Sequence, residues 1–88
     1  MQTMEKKIAV RIKLFSGIDR ELRLENYDRA EGIVMHMPSG KKLKWALKSL
    51  GVEKISRYAF FRSGERISPS SKVNDGDEIS CLKPTGGG

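Results

Sequence analysis

Apolar and polar residues alternate along "IAVRIKLF", placing Ile8, Val10, Ile12 and Leu14 on one side of an extended chain and Arg11 and Lys13 on the other. That alternation is the period of a strand with one buried face, so Ile8–Phe15 is predicted as a strand. The following "SGIDRELRLENYDRAEG" is charged and weakly patterned, and it admits either a short helical turn or a strand extension through Leu22 and Leu24. "IVMHM" (Ile33–Met37) predicts a second short strand, closed by "PSG". Then the period changes. In "KKLKWALKSL" (Lys41–Leu50), Leu43, Ala46, Leu47 and Leu50 fall on one stripe at helical spacing, the mark of a helix with one core-facing side. Ser39 is the candidate N-cap, and Gly51 stands where a left-handed C-terminal cap is needed. Val52 and Ile55 carry the apolar signal past the helix end.

"YAFFRSGERI" predicts a strand, a Ser63-Gly64 turn and a second strand. "SPSSKVNDGD" is rich in turn formers and predicts a loop, and "EISCLK" (Glu78–Lys83) predicts the last strand. The expected order is strand, strand, helix, strand, short strand, strand. One main helix laid across a mixed sheet of four or five strands is an α+β architecture. Neither an internal repeat nor a second domain is visible. Residues 1–83 are expected to form one domain, with 84–88 as a flexible tail. An 88-residue chain supports a single modest core.

Composition narrows the function classes. Lys and Arg number 17 against 11 Asp and Glu, a net charge of +6 that falls within ordinary solubility charge for a small domain. The same excess is compatible with an acidic protein partner, nucleic acid or a membrane surface. The lone cysteine, Cys81, has no disulfide partner in the chain, and no Cys/His spacing suggests zinc. It alternates with Ile79 and reads as a small core residue. His36 stands alone and reads as structural or surface. Asp75, Asp77 and Glu78 lack the spacing of an EF-hand, and a turn bending at Gly76 accounts for them better. "PSGKKLK" lacks the spacing of a phosphate-binding loop. No nucleophile triad or carboxylate pair supports catalysis within the chain. The N-terminal segment has no signal-peptide core, and no window approaches the roughly 20 apolar residues of a membrane span, so a cytoplasmic protein is expected.

Two features remain. Trp45 projects away from the Leu43/Leu47/Leu50 stripe, beside Lys41 and Lys48. Either the 16–32 loop or Tyr58 folds over it, or it is an exposed indole ringed by lysines that anchors a partner. The second feature is "TGGG". Glycines without a Cβ form a thin stem able to thread a narrow channel, and the α-carboxylate of Gly88 lies at its tip. A carboxylate of ordinary pKa is ionised at neutral pH and is a poor electrophile, so acyl chemistry there requires activation by a partner.

The last strand following "DGDE" and running into glycines resembles the ubiquitin-like sulfur carriers, the MoaD/ThiS family. "LF" closing the first strand, "REL" (Arg20–Leu22), a proline before the helix and "KVNDGDEISCLKP" add to the likeness. The length favours the small subunit of molybdopterin synthase over the thiamine carrier. Two departures stand out: three terminal glycines in place of two, and a basic chain where many molybdopterin-type carriers are acidic. The resemblance implies a β-grasp fold and a chain that is no enzyme itself. It implies that an E1-like (MoeB/ThiF-type) enzyme adenylates Gly88 with ATP, and that a sulfur donor then leaves a thiocarboxylate. A synthase subunit would accept that sulfur for molybdenum cofactor or thiamine biosynthesis. Gly86 and Gly87 would be the stem entering both partners, with Trp45 a further partner contact. No cofactor is expected on the chain, which would be monomeric when free. A protein modifier joined to lysines through Gly88 is the alternative. A basic RNA-binding module is a more distant one, and neither nucleic acid nor membrane is the expected partner.

Overall fold

A computed structural model describes residues 6–84 of the chain. Its elements are β1 (Lys7–Leu14), a short helix α1 (Ile18–Glu21), β2 (Ile33–Pro38), the main helix α2 (Leu43–Leu50), a 3₁₀ turn (Ile55–Arg57), β3 (Ala59–Arg62), β4 (Glu65–Ile67) and β5 (Glu78–Leu82). The five strands form one mixed sheet in the order β2-β1-β5-β3-β4. β1 is antiparallel to β2 and parallel to β5, while β3 is antiparallel to both β5 and β4. The α+β architecture read from the sequence is the one observed.

The alternation of β1 becomes alternating burial. Ile8, Val10, Ile12 and Leu14 are buried, and the register sets Ile8 opposite Met37, Val10 opposite Met35 and Ile12 opposite Ile33. Leu43, Ala46 and Leu47 of α2 close over this face together with Ile18, Phe60, Val73, Ile79 and Cys81. Each fully buried leucine of that stripe contributes about 1.5–3 kcal/mol of transfer free energy. In the weakly patterned segment the helical turn wins over the strand extension. Ile18 is wholly buried there, and Leu22, Leu24 and Tyr27 lean on the core. The Tyr27 hydroxyl accepts the Leu14 N–H at 2.7 Å, tying the loop to the end of β1. Gly32 closes that loop with φ +73°, and a Cβ there would lie 2.7 Å from the Ile12 carbonyl oxygen, so only glycine fits.

The expected N-cap is corrected. The helix begins at Leu43 rather than Lys41, its N-cap is Lys42 and not Ser39, and no side chain caps it. The loop before β5 supplies the missing acceptors: Leu43 N–H donates to Ser71 O at 2.8 Å and Lys44 N–H to Pro69 O at 2.9 Å. Backbone carbonyls satisfy the orphan donors as well as a serine would. Gly51 does take the left-handed cap, with φ 98°.

Candidate functional site

β5 is the central strand, and the chain leaves the sheet from its end at Lys83 and Pro84. The Lys83 ammonium pairs with the Glu21 carboxylate, which also accepts the Tyr58 hydroxyl at 3.0 Å. Both ends of the ion pair are more than a third exposed, at 38% and 42%. Its net worth is therefore small, and it orients the exit of the chain more than it stabilises the fold. Gly86, Gly87 and Gly88 lie outside the described residues.

Beside this exit, the sheet face turned away from α2 carries apolar side chains. Phe15 is 44% exposed, and its backbone N–H still donates to Cys81 O at 2.9 Å, which holds it against β5. Phe15, Phe61, Ser80 and Leu82 line an open cleft of about 640 Å³, walled at its far end by the Arg62–Asp77 pair at 3.0 Å. In the sequence Phe15 stands out only within "LF", and Phe61 and Leu82 do not stand out as surface residues, although a signal is present. "FF" in a strand must send one ring to each face, and with Phe60 in the core Phe61 faces outward. Leu82 follows Ile79 and Cys81 out of phase in the same way.

Trp45 is exposed on the opposite side of the molecule. The covering by the 16–32 loop or by Tyr58 does not occur, because those residues are drawn to the core instead. Trp45 remains 36% exposed and lines a cleft of about 300 Å³ with Lys41, Lys42, Lys44 and Lys48. It is not brought together with the tail exit.

The remaining candidates resolve as structural. Cys81 is wholly buried, and burial pushes its thiol pKa up from 9.0 to about 12, which removes it as a nucleophile at neutral pH. His36 is exposed on β2. Asp75, Gly76 and Asp77 serve β1, which runs on past the start of β5. Ala9 N–H donates to Asp75 Oδ1 at 2.8 Å, Gly76 N–H donates to Ala9 O at 2.8 Å, and Arg11 N–H donates to Asp77 O at 2.8 Å. "DGDE" therefore extends the β1–β5 ladder with turn backbone. Among the described residues no group of three or more His, Cys, Asp or Glu is placed to hold a metal ion, and no helix is long and apolar enough to cross a membrane.

No protein-family model and no curated protein sequence matches the chain. Solved structures do. The crystal structure of SAMP1 from Haloferax volcanii aligns with a TM-score of 0.65 at 15% identity, covering 91% of this chain and 99% of that one. The solution structure of the Haloferax volcanii HVO 2177 protein aligns with a TM-score of 0.70 at 14% identity, covering 100% of this chain and 94% of that one. Likeness at such identities speaks for architecture alone, and with the strand order and single main helix above it establishes a ubiquitin-like β-grasp fold.

Proposed function

We propose that this chain is a sulfur carrier of the MoaD/ThiS type that acts through the carboxylate of Gly88. The observation that carries the reading is the position of β5. It is the central strand of a ubiquitin-like β-grasp and ends at Leu82, whose side chain lines an open cleft with Phe15 and Phe61. In the sequence the glycines follow shortly after it. On this reading an E1-like partner supplies the activation. In its site a Gly88 carboxylate oxygen attacks the α-phosphorus of ATP and pyrophosphate leaves. Hydrosulfide released by a sulfur donor then attacks the acyl carbon. A C–S bond forms as the C–O bond to AMP breaks, and the product is a thiocarboxylate for an accepting synthase. Phe15, Phe61 and Leu82 form the surface on which the E1-like enzyme docks, placing the thin stem of Gly86 and Gly87 at the channel mouth.

The test is the chemistry of the C-terminal peptide of protein isolated from its own host. Sulfur in place of one Gly88 oxygen is the expected result. It must be localised to that residue, because oxidation of any of the four methionines gives nearly the same mass change. Gly88 joined to lysines of other proteins would instead make the chain a modifier working through the same adenylate. Residues continuing beyond Gly88, or a free carboxylate that persists with an E1-like enzyme, ATP and a sulfur donor supplied, would overturn the proposal.

A further inference from the structure

The helix face bearing Trp45 stands apart from the end of β5, and its composition is unusual for a merely solvated surface. Lys41, Lys42 and Lys44 stand at the start of α2, where the macrodipole disfavours positive charge, and the first turn has no acidic residue. None of the ion pairs among the described residues involves these lysines or Lys48. Lys72, bridged to Lys42 through the backbone, adds another cation nearby. Lys41, Lys42, Lys44 and Lys48 line one cleft together with the 36% exposed indole of Trp45, so an aromatic ring and four cationic side chains share it.

From this arrangement we infer that the Trp45 cleft binds single-stranded polynucleotide without sequence preference, one base stacking on the indole while the lysines meet the flanking phosphates. A nucleotide brings a flat ring and an anion within one repeat, matching both parts of the cleft. An acidic polypeptide satisfies the lysines and leaves the indole unused. Lysine binds phosphate as a point charge. The cleft has no arginine, asparagine or glutamine to read base edges, hence the lack of preference.

Trp45 is the chain's single tryptophan, so its fluorescence reports the site directly. Titration with a short oligouridylate is expected to quench it saturably, and polyglutamate of matched charge to quench it far less. With four lysines engaged, log affinity should fall with log salt at a slope of about −3, taking about −0.7 per neutralised phosphate for single strands. In anisotropy with a labelled oligouridylate, Trp45→Ala should weaken binding by about 5- to 150-fold and Trp45→Phe by much less. Arg66→Ala removes a charge from the far side of the sheet and should change nothing. Should Trp45→Ala fail to fold, Lys44→Ala with Lys48→Ala serves in its place and should halve the salt slope. Absent quenching, polyglutamate quenching at equal or higher affinity, or wild-type binding by folded Trp45→Ala would overturn the inference.

Discussion

Cys81 shows how burial alone sets the behaviour of one side chain. Its thiol sits in the apolar layer between β5 and α2 and stays protonated in the fold, its pKa raised from 9.0 to about 12. Between those values the unfolded chain loses the thiol proton and the folded chain keeps it. Unfolding therefore releases a proton, and stability falls as pH rises through that window. Its full contribution is present below 9.0 and is lost as pH approaches 12. At about 1.4 kcal/mol per unit, the three-unit difference amounts to roughly 4 kcal/mol. Denaturant unfolding across the window should show a steeper alkaline loss for the wild type than for Cys81→Ala, since every other residue is common to both. Parallel pH profiles for the two proteins would refute it. Below the window Cys81→Ala should be the less stable, by about 1 kcal/mol for the atom removed.

At the scale of elements, the "DGDE" turn is the join between β1 and β5. Asp75 supplies one exposed acceptor to Ala9 N–H. Asp77 Oδ2 accepts from Asn74 N–H at 2.8 Å and from Arg62 Nη1 at 3.0 Å, with its side chain only 19% exposed. Replacing Asp75 with alanine is expected to cost about 1 kcal/mol, and replacing Asp77 about 2 kcal/mol, because the latter loses two bonds, one of them to the charged Arg62, at a less exposed side chain. Chemical denaturation of the two variants checks the order; equal or negligible losses would show that the turn is not what the motif is for. The motif was legible as a turn from Gly76 and its flanking acids, but its partners were not, since Ala9 lies more than sixty residues away. The strands could be read because burial on one face imposes a period of two on Ile8 to Leu14, and the helix could be read from Leu43, Ala46 and Leu47. Its start could not. Ser39 fits a local capping rule, yet Ser71 and Pro69 provide the acceptors from a distant loop. Trp45 was visible as an outlier from the stripe, whereas what covers it depends on where the 16–32 loop goes. That loop is held to β1 by Tyr27.

The molecule as a whole presents two distinct faces on opposite sides of one core. On the helix side Trp45 and its lysines face outward, and on the sheet side Phe15, Phe61 and Leu82 surround the strand that carries the tail. Under the proposed function, separation of this kind would let the activating partner grip the sheet and receive Gly88 while the helix face stays free. The division makes a prediction about kinetics. Phe15 is 44% exposed and stands outside the buried core, so Phe15→Asp should leave the melting temperature nearly unchanged. A partner seated on the sheet would lose an aromatic anchor and would bury an unpaired carboxylate. Anchors of this kind are worth about 2 kcal/mol or more, so the E1-like enzyme's KM for this chain should rise by more than about tenfold. Its kcat should stay close to the wild-type value, because the reacting carboxylate and the glycine stem are untouched. Pyrophosphate release at varied carrier concentration separates the two constants. A fall in kcat at constant KM would mean that Phe15 acts on the chemical step, and unchanged constants would move the docking surface elsewhere. The split between KM and kcat is thus the signature of a face that delivers the tail without taking part in its activation.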